Sequence, residues 1–272
     1  GDKYDFETRR KVTKTADGWR PEMWAQFAEL GLLAAPFSEE LGGLGGGAIE
    51  NMIIMEEFGR HLVVEPYLET VVIAGGFLRE GGTPAQQETH IPGIVGGETV
   101  WSFAYAEPQG RYNLADITTS AKKDGAGYTI NGYKAVAIAA PWAQKLIVTA
   151  RTSGGQRDRD GISVFIVDKS APGVSTRDYP TVDGRRASEV TFENVKVDAD
   201  ALIGTEGKGL PLVEKITDEA IAALSAEAIG CMKELNAATV EYCKTRKQFG
   251  VPIGKFQVLQ HRMVDMFMAY EQ

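Results

Sequence analysis

The sequence predicts an α+β protein with three consecutive domains: an N-terminal α-helical domain (residues 1–97), a middle antiparallel β-domain (98–205) and the start of a C-terminal four-helix bundle (206–272). Two observations support this prediction. Apolar residues recur at helical spacing in the first and last blocks, whereas the middle block consists of short β-rich runs separated by turn-forming pairs. Because a helical pattern is still running at Gln272, we expect the bundle to be incomplete and the chain to be part of something longer.

In the first block, the run PEMWAQFAELGLL places Trp24, Phe27 and Leu30 at helical spacing after Pro21, a residue favoured in the first turn of a helix. A second helix is predicted in AIENMIIMEEFGRHL. We expect its buried side to carry or adjoin four apolar residues, Ile49, Met52, Ile53 and Met55.

The glycine-rich stretch Gly42–Gly47 has two interpretations, a phosphate-binding loop or a turn between helices. No strand precedes it, and no Gly-Lys-Ser/Thr sequence ends it, although the phosphate-binding motif requires both. The sequence therefore favours the turn.

The middle block contains the β-rich runs TVWSFAYA, ITTSAKK, GYTINGYKAVAI, KLIVTAR, ISVFIVD and EVTFENVKV. We expect turns at Asp124-Gly125, Asn131-Gly132, Asp160-Gly161 and Asp183-Gly184. Closely spaced strands without intervening helices indicate an antiparallel sandwich or barrel and argue against a Rossmann domain.

The third block predicts one long helix with an apolar stripe formed by Ile221, Leu224, Ala228, Met232, Leu235 and Tyr242. A second helix follows in FQVLQHRMVDMFMAY. Two antiparallel helices with one apolar face each need further cover, which either a C-terminal continuation or a partner subunit would supply.

Composition excludes several classes of function. The 29 Lys and Arg residues against 37 Asp and Glu leave a formal charge of −8, which argues against a nucleic-acid partner. No apolar run reaches transmembrane length and no signal peptide is visible, so no membrane span is expected. Cys231 and Cys243 are interpreted as free thiols of a reducing, cytoplasmic compartment. The histidines His61, His90 and His261 share no motif spacing, and no metal site is expected.

The stretch TRKQFGVPIGKFQ interrupts two helices with a short hairpin at Gly250 and Pro252. It carries a cation, an amide and two aromatic rings. Composition alone allows a helix–helix connection with solvated Arg and Lys and buried Phe, or a segment that presents these groups to a ligand.

Several stretches in order give the chain a resemblance to the acyl-CoA dehydrogenase family of flavoproteins: ELGLLAAPFSEELGGLGGG, PGIVGGETVWSFAYAEP, GYTINGYK, VTFENVKVDADALIGTEGKG and, most specifically, RKQFGVPIGKFQ. The resemblance implies FAD-dependent α,β-dehydrogenation of an acyl-CoA thioester. It also implies an electron-transfer flavoprotein or a similar acceptor, and a homo- or hetero-oligomer, either a dimer or a tetramer.

The resemblance also implies that the hairpin grips the FAD of a neighbouring subunit. Arg246 would face the pyrophosphate, to which a guanidinium fork is suited. Gln248 would bind close by, Phe249 and Phe256 would pack on adenine and ribose, and Gln257 would complete the contact. We call these five residues the cofactor clamp.

The chain departs from the family at the positions that face its own flavin. The family motif TEPGxGSD corresponds here to the segment from Ala106 to Asn113, with Arg111 and Tyr112 replacing small residues. The family triplet WIT corresponds to Val136-Ala137-Ile138. Since three hydroxyls and an indole are lost, we expect this subunit's own flavin pocket to be compromised.

The catalytic base is unknown from this sequence. In most family members a Glu late in the bundle takes the α-proton, and the corresponding position would lie beyond Gln272. A minority place it where this chain has Ala220, and Ile221 replaces the Arg usual next to it. Glu219 and Glu227 are interpreted as surface or interface charges.

Degraded flavin contacts beside an intact clamp resemble the small subunits of heteromeric acyl-CoA dehydrogenases, such as that of pimeloyl-CoA dehydrogenase. Three alternatives stay open at this point: a component of a dehydrogenase, a self-sufficient homotetramer with a remodelled pocket, and a non-catalytic subunit that supplies the clamp to a catalytic partner.

Overall fold

A computed structural model describes residues 4–272. A helical segment, a β-sheet and a second helical segment follow one another along the chain, as the fold-class prediction requires. No helix within the described range is both long and apolar enough to cross a membrane.

The first segment is helical, and two of its helices, α1 and α5, begin at residues whose side chains cap them. Asp5 accepts a hydrogen bond from the Thr8 amide, and Thr83 and Gln86 form a reciprocal capping box. The helices are α1 (Phe6–Val12), α2 (Pro21–Glu29), α3 (Ala48–His61), a π-helical segment (Leu68–Ala74), α4 (Gly75–Gly81) and α5 (Pro84–Val95).

The glycine-rich stretch is a turn between helices, as predicted. A short 3₁₀ turn (Glu39–Leu41) ends at Gly42, whose φ is 82°, and α3 starts at Ala48. A Cβ atom at Gly43 would lie 2.0 Å from the Phe37 carbonyl oxygen, so the loop packs closely on its own backbone.

The predicted buried face of α3 is wrong at three of its four positions. Ile49, Met52 and Ile53 are 69%, 44% and 60% exposed, and of the four only Met55 is buried. The face that packs instead carries Asn51, Met55, Phe58 and Gly59. Hydrophobicity along α3 therefore does not identify its contact face, because a close helix crossing at Gly59 sets the rotation of the helix.

The middle segment forms one eight-stranded sheet in the order β6-β7-β3-β2-β4-β5-β8, with β1 added beside β4. The strands are β1 (Trp101–Ala104), β2 (Ser120–Asp124), β3 (Gly127–Ile138), β4 (Lys145–Arg151), β5 (Ile162–Asp168), β6 (Val174–Pro180), β7 (Arg186–Val197) and β8 (Leu202–Ile203).

The antiparallel prediction holds for most of the sheet, including the pairing of β4 with β5, but β4 pairs in parallel with β1 and β2. The contact between β2 and β4 is a single residue pair, Ser120 with Arg151, and it joins the two halves of the sheet. No α-helix crosses over anywhere between Trp101 and Ile203.

The predicted turn at Asn131-Gly132 is wrong, because both residues lie inside β3 at an irregularity of the β3–β7 pairing. A Cβ atom at Gly132 would lie 2.6 Å from Thr119 Cα, so glycine is required there by close backbone approach. The other three predicted turns hold, with Gly125, Gly161 and Gly184 at positive φ between or beside strands. The sequence analysis does not predict β6, an exposed edge strand.

The last segment begins with α6 (Leu210–Thr245), a helix of 36 residues. Two short strands, β9 (Lys247–Gln248) and β10 (Val251–Pro252), form the hairpin, and α7 (Gln257–Glu271) follows a 3₁₀ turn (Ile253–Lys255). The predicted apolar stripe of α6 is on the face that the described residues leave open: Ile221, Leu224, Leu235 and Tyr242 are all exposed.

Helix α6 crosses α3 at a pair of glycines. A Cβ atom at Gly230 would lie 1.9 Å from the Glu56 carbonyl oxygen, and one at Gly59 would lie 1.9 Å from the Glu227 carbonyl oxygen. The two backbones are therefore in contact, and the crossing tolerates no side chain at either position.

Replacing Gly230 with valine should separate the two helices. We expect Gly230→Val to lower the free energy of unfolding by about 1–3 kcal/mol, the usual cost of overpacking. Thermal or urea unfolding would measure it, with Ala238→Val on an exposed position of α6 as the matched control. Equal stability of the two variants would show that the crossing is not tightly packed.

Candidate functional site

A cavity of about 410 Å³ lies where the π-helical segment, the sheet and the first half of α6 meet. Val136 and Ile138 line it from β3, Ala106 lines it from the loop after β1, and Ala220 lines it from α6. The structure thus gathers three positions predicted to face the flavin and the position predicted for an alternative base. All four side chains are alkyl groups, so none can donate or accept a hydrogen bond.

The other walls of the cavity are largely apolar. Leu68, Ile73, Phe103, Ile216 and Leu224 contribute hydrocarbon surface. The ring of Phe103 stacks on Tyr105 with centroids 4.8 Å apart. Thr217, also in the lining, donates its hydroxyl proton to the Val213 carbonyl of its own helix at 2.7 Å. Walls of this kind suit a hydrocarbon chain.

The two bulky residues of the segment that corresponds to the family motif, Arg111 and Tyr112, lie outside the cavity. Tyr112 is 100% exposed, and neither it nor Arg111 lines the cavity. Arg111 has a φ of 48°, a left-handed conformation, in the loop after β1. Arg111 and Tyr112 therefore do not obstruct the cavity, whereas Ala106 and Ile138, which replace hydroxyl-bearing residues of the family, line it.

One side of the cavity is charged, which the sequence did not predict. Glu69, in the π-helical segment, and Arg185, in the turn before β7, form a two-pronged ion pair: Nη1 to Oε1 at 2.9 Å and Nη2 to Oε2 at 3.4 Å. Asp183 also lines this side. A lone Glu in the apolar run YLETVVIA was the available signal, because a carboxylate there must have a buried partner.

Burial lowers the pKa of the Arg185 guanidinium, but the charges of Glu69, Glu227 and Asp183 outweigh that effect and hold this pKa above its ordinary value. Burial raises the pKa of Glu227, and the charge of Arg185 opposes the rise. Glu219 instead binds Arg79 at 2.6 Å. Neither of the two α6 carboxylates lines the cavity.

The loop that carries Ala106 is fixed by a fully buried ion pair. Lys134 Nζ lies 2.8 Å from Glu107 Oε1, and both side chains are inaccessible to solvent. Glu107 also accepts hydrogen bonds from the Thr118 amide and hydroxyl and from the Thr119 amide. Burial opposes ionisation, yet the charge of Lys134 and these donors lower the pKa of Glu107 to about 2.

The cofactor clamp lies on the exposed hairpin. Phe249 and Gly250, at the turn, have φ values of 53° and 80°, as a type I′ turn requires. Phe249 is 91% exposed, and its ring centroid is 6.1 Å from that of Phe256. Arg246 makes no ion pair within residues 4–272, and Gln248 and Gln257 are exposed.

Helix α6 separates this hairpin from the cavity. Leu224 lines the cavity, and Arg246 follows the end of α6, so the rise of 1.5 Å per residue places them roughly 33 Å apart. The clamp and the cavity of one chain are therefore distinct sites. Among the described residues, no group of three or more His, Cys, Asp or Glu side chains is arranged to hold a metal ion.

Comparison with known proteins follows the same three segments. Family models match residues 7–98 (acyl-CoA dehydrogenase, N-terminal domain), 102–195 (middle domain) and 207–272 (C-terminal domain). The chain belongs to the acyl-CoA dehydrogenase family.

Individual relatives agree with that assignment. The chain is 33% identical over 255 residues to a probable acyl-CoA dehydrogenase, YngJ, of Bacillus subtilis, covering 92% of this chain and 67% of the relative. A solved FAD complex of PigA superposes with a TM-score of 0.91 at 26% identity, covering 98% and 70%. The ChsE4–ChsE5 complex of Mycobacterium tuberculosis gives 0.87 at 27% identity, covering 97% and 69%.

The chain spans between 60% and 69% of the length of the curated acyl-CoA dehydrogenases considered in this comparison. The finer resemblance to the small subunit of pimeloyl-CoA dehydrogenase is not confirmed by these comparisons.

Removing the Glu107 carboxylate should leave Lys134 buried and unpaired. We expect Glu107→Gln to cost about 3–5 kcal/mol of folding free energy, as for other broken buried pairs. The pKa of Glu107 is lower in the folded protein than its ordinary value of 4.5. The ionised carboxylate therefore stabilises the fold at pH values above 4.5, and this contribution is lost as the pH falls towards about 2. Unfolding measured across this range should show the loss in the parent but not in the variant.

The matched control is Glu214→Gln, which breaks the exposed pair with Arg159. An exposed ion pair contributes little to stability, so the free energy of unfolding of Glu214→Gln should equal that of the parent at every pH. A Glu107→Gln variant as stable as this control would contradict a structural role for the buried pair.

Proposed function

We propose that the chain is a component of an acyl-CoA dehydrogenase that oxidises an acyl-CoA thioester to the α,β-unsaturated thioester, with FAD as cofactor. The electrons of the reduced FAD would then pass to an electron-transfer flavoprotein or a similar acceptor. The working form would be a dimer or tetramer, either homomeric or heteromeric. The domain boundaries near 97 and 205 belong to the proposal, and the start of β1 at Trp101 and the end of β8 at Ile203 support them.

The observation that carries this proposal is the apolar cavity between the sheet and α6. Its hydrocarbon walls would hold an acyl chain and exclude water from the reacting carbons. The chain also belongs to a family whose named relatives are acyl-CoA dehydrogenases.

The hairpin residues fit FAD. Arg246 has a guanidinium without an ion-pair partner in the described chain, and a pyrophosphate suits its two-pronged donors. Phe249 presents an exposed aromatic ring at the turn of the hairpin, where it can pack on a flat ligand. In this proposal Arg246 and Gln248 bind the pyrophosphate, while Phe249, Phe256 and Gln257 hold the adenosine portion of a neighbouring subunit's FAD.

When bound, FAD would accept a hydride from the β-carbon of the thioester. The α-proton would go to a general base, which the family resemblance implies is a carboxylate. Of the carboxylates lining the cavity, Glu69 is tied to Arg185 and Asp183 lies in the turn before β7; on α6 the family's alternative base position is Ala220. We infer that the base comes from outside residues 4–272, either late in the bundle or from a partner.

A second candidate function is a non-catalytic subunit that supplies the clamp to a catalytic partner. The observation in its favour is that Ala106, Val136 and Ile138 offer a flavin ring no side-chain hydrogen bond. A self-sufficient homotetramer with a remodelled pocket is the third candidate, and it would need backbone groups to replace those bonds.

The clamp is tested by Arg246→Ala in the assembled oligomer. Loss of a charge-assisted hydrogen bond costs about 1.5–3 kcal/mol, so FAD should dissociate at least tenfold more readily while the fold stays intact. Flavin content after dialysis would be measured from absorbance. Arg159→Ala, which removes an exposed arginine of the sheet segment, is the control. Flavin retention equal to that of the control would contradict the proposed role of the hairpin.

A further inference from the structure

The charged side of the cavity lies beyond Ile138 along β3. The Ala135 amide donates to the Ala106 carbonyl at 2.8 Å, and the Ala139 amide donates to the Arg186 carbonyl at 2.8 Å. Ala106 is therefore beside one part of β3, and Arg185 is beside the next. Between Val136 and Ala139 the strand advances roughly 10 Å. A ligand group that extends along this wall past the flavin-facing positions reaches the Glu69–Arg185 pair.

This ion pair is buried within the cavity lining. The side chains of Arg185 and Glu69 are only 15% and 5% exposed. Placing two charges against hydrocarbon is expensive and is seldom justified by stability alone, since an apolar pair of similar volume is often as stable. The pair is therefore a candidate for a role in recognition.

Arg185 has donors to spare. A guanidinium carries five N–H donors, and the hydrogen bonds of this side chain within residues 4–272 are the two that it gives to Glu69. Arg185 also lines the cavity, so a ligand there comes close to its guanidinium. An oxygen acceptor on a ligand would satisfy them, and a hydrocarbon chain would not.

The surrounding charges limit what that acceptor can be. Glu69 already balances the charge of Arg185, and Asp183 and Glu227 lie close enough to act on the guanidinium. A ligand carboxylate would be repelled by these three carboxylates, and a ligand cation would be repelled by Arg185. A neutral oxygen acceptor is repelled by neither.

We propose that this cavity selects acyl chains that carry a neutral oxygen acceptor, a hydroxyl or keto group, beyond the reacting carbons, and that Arg185, held in place by Glu69, donates to it. The inference rests on the proposed function. It adds a substrate class to it, namely oxygenated acyl groups rather than plain fatty acyl groups.

The test uses the protein in its native flavin-loaded assembly and S-alkyl-CoA thioethers, which lack the carbonyl and cannot be oxidised. Three series of equal chain length end in a methyl, a hydroxyl or a carboxylate group. Calorimetry would give each Kd over a range of lengths. A hydrogen bond to a charged donor should make the hydroxyl series about tenfold tighter than the methyl series at the length that reaches Arg185.

A double variant, Glu69→Leu with Arg185→Met, removes both charges and leaves neither unpaired. It should reverse the preference, so that the methyl series binds more tightly than the hydroxyl series. The matched control removes an exposed pair, Arg159→Met with Glu214→Leu, and should keep the preference of the parent.

Equal affinities for the methyl and hydroxyl series in the parent would overturn this inference and leave the proposed function standing. Tightest binding of the carboxylate series would also overturn it, because Arg185 would then recognise an anion. Absence of binding in all three series would contradict the proposed function itself, and with it the inference.

Discussion

Helix α6 sets the distance between the two parts of the molecule that bear on function. Its first half forms a wall of the cavity through Ala220 and Leu224, and its last residues lead into the hairpin. The glycine crossing with α3 fixes it to the first helical segment, because the Gly230 and Glu56 backbones are in contact. A rigid helix of this length keeps Arg246 away from the cavity of its own chain. The proposed division, in which one subunit provides a pocket and another provides the clamp, follows from this constraint.

Buried ion pairs shape the cavity from two sides. Glu107 and Lys134 hold the loop that ends beside Ala106, with the carboxylate also binding three donors of the next segment. Glu69 and Arg185 connect the π-helical segment to the turn before β7. The first pair is fully hydrogen-bonded and closed to solvent, so its role is to fix the position of the loop. The second lines the cavity and retains unused donors, so it can act on a ligand.

The sequence was a good guide wherever local chemistry determines the structure. The β-rich runs became strands because turn-forming glycines at 125, 161 and 184 separate them. It failed where tertiary contact decides. Asn131-Gly132 has the composition of a turn, but it lies inside β3, where the Thr119 backbone packs against Gly132. The apolar side of α3 is exposed because a glycine crossing sets its rotation.

In the candidate site, the alkyl positions at 106, 136 and 138 were identified by the family resemblance, whereas the Glu69–Arg185 pair was not. Its members are 116 residues apart, and no local pattern links them.

We propose that this chain offers a clamp to a neighbour's FAD, while its own cavity lacks side-chain partners for a flavin ring. The most direct measurement is the flavin stoichiometry of the purified chain, alone and beside a partner subunit that carries an intact TEPGxGSD sequence. We expect the chain alone to be largely colourless and to gain flavin on assembly with the partner. One tightly bound FAD per chain in the protein expressed alone would contradict it and would favour the self-sufficient dehydrogenase.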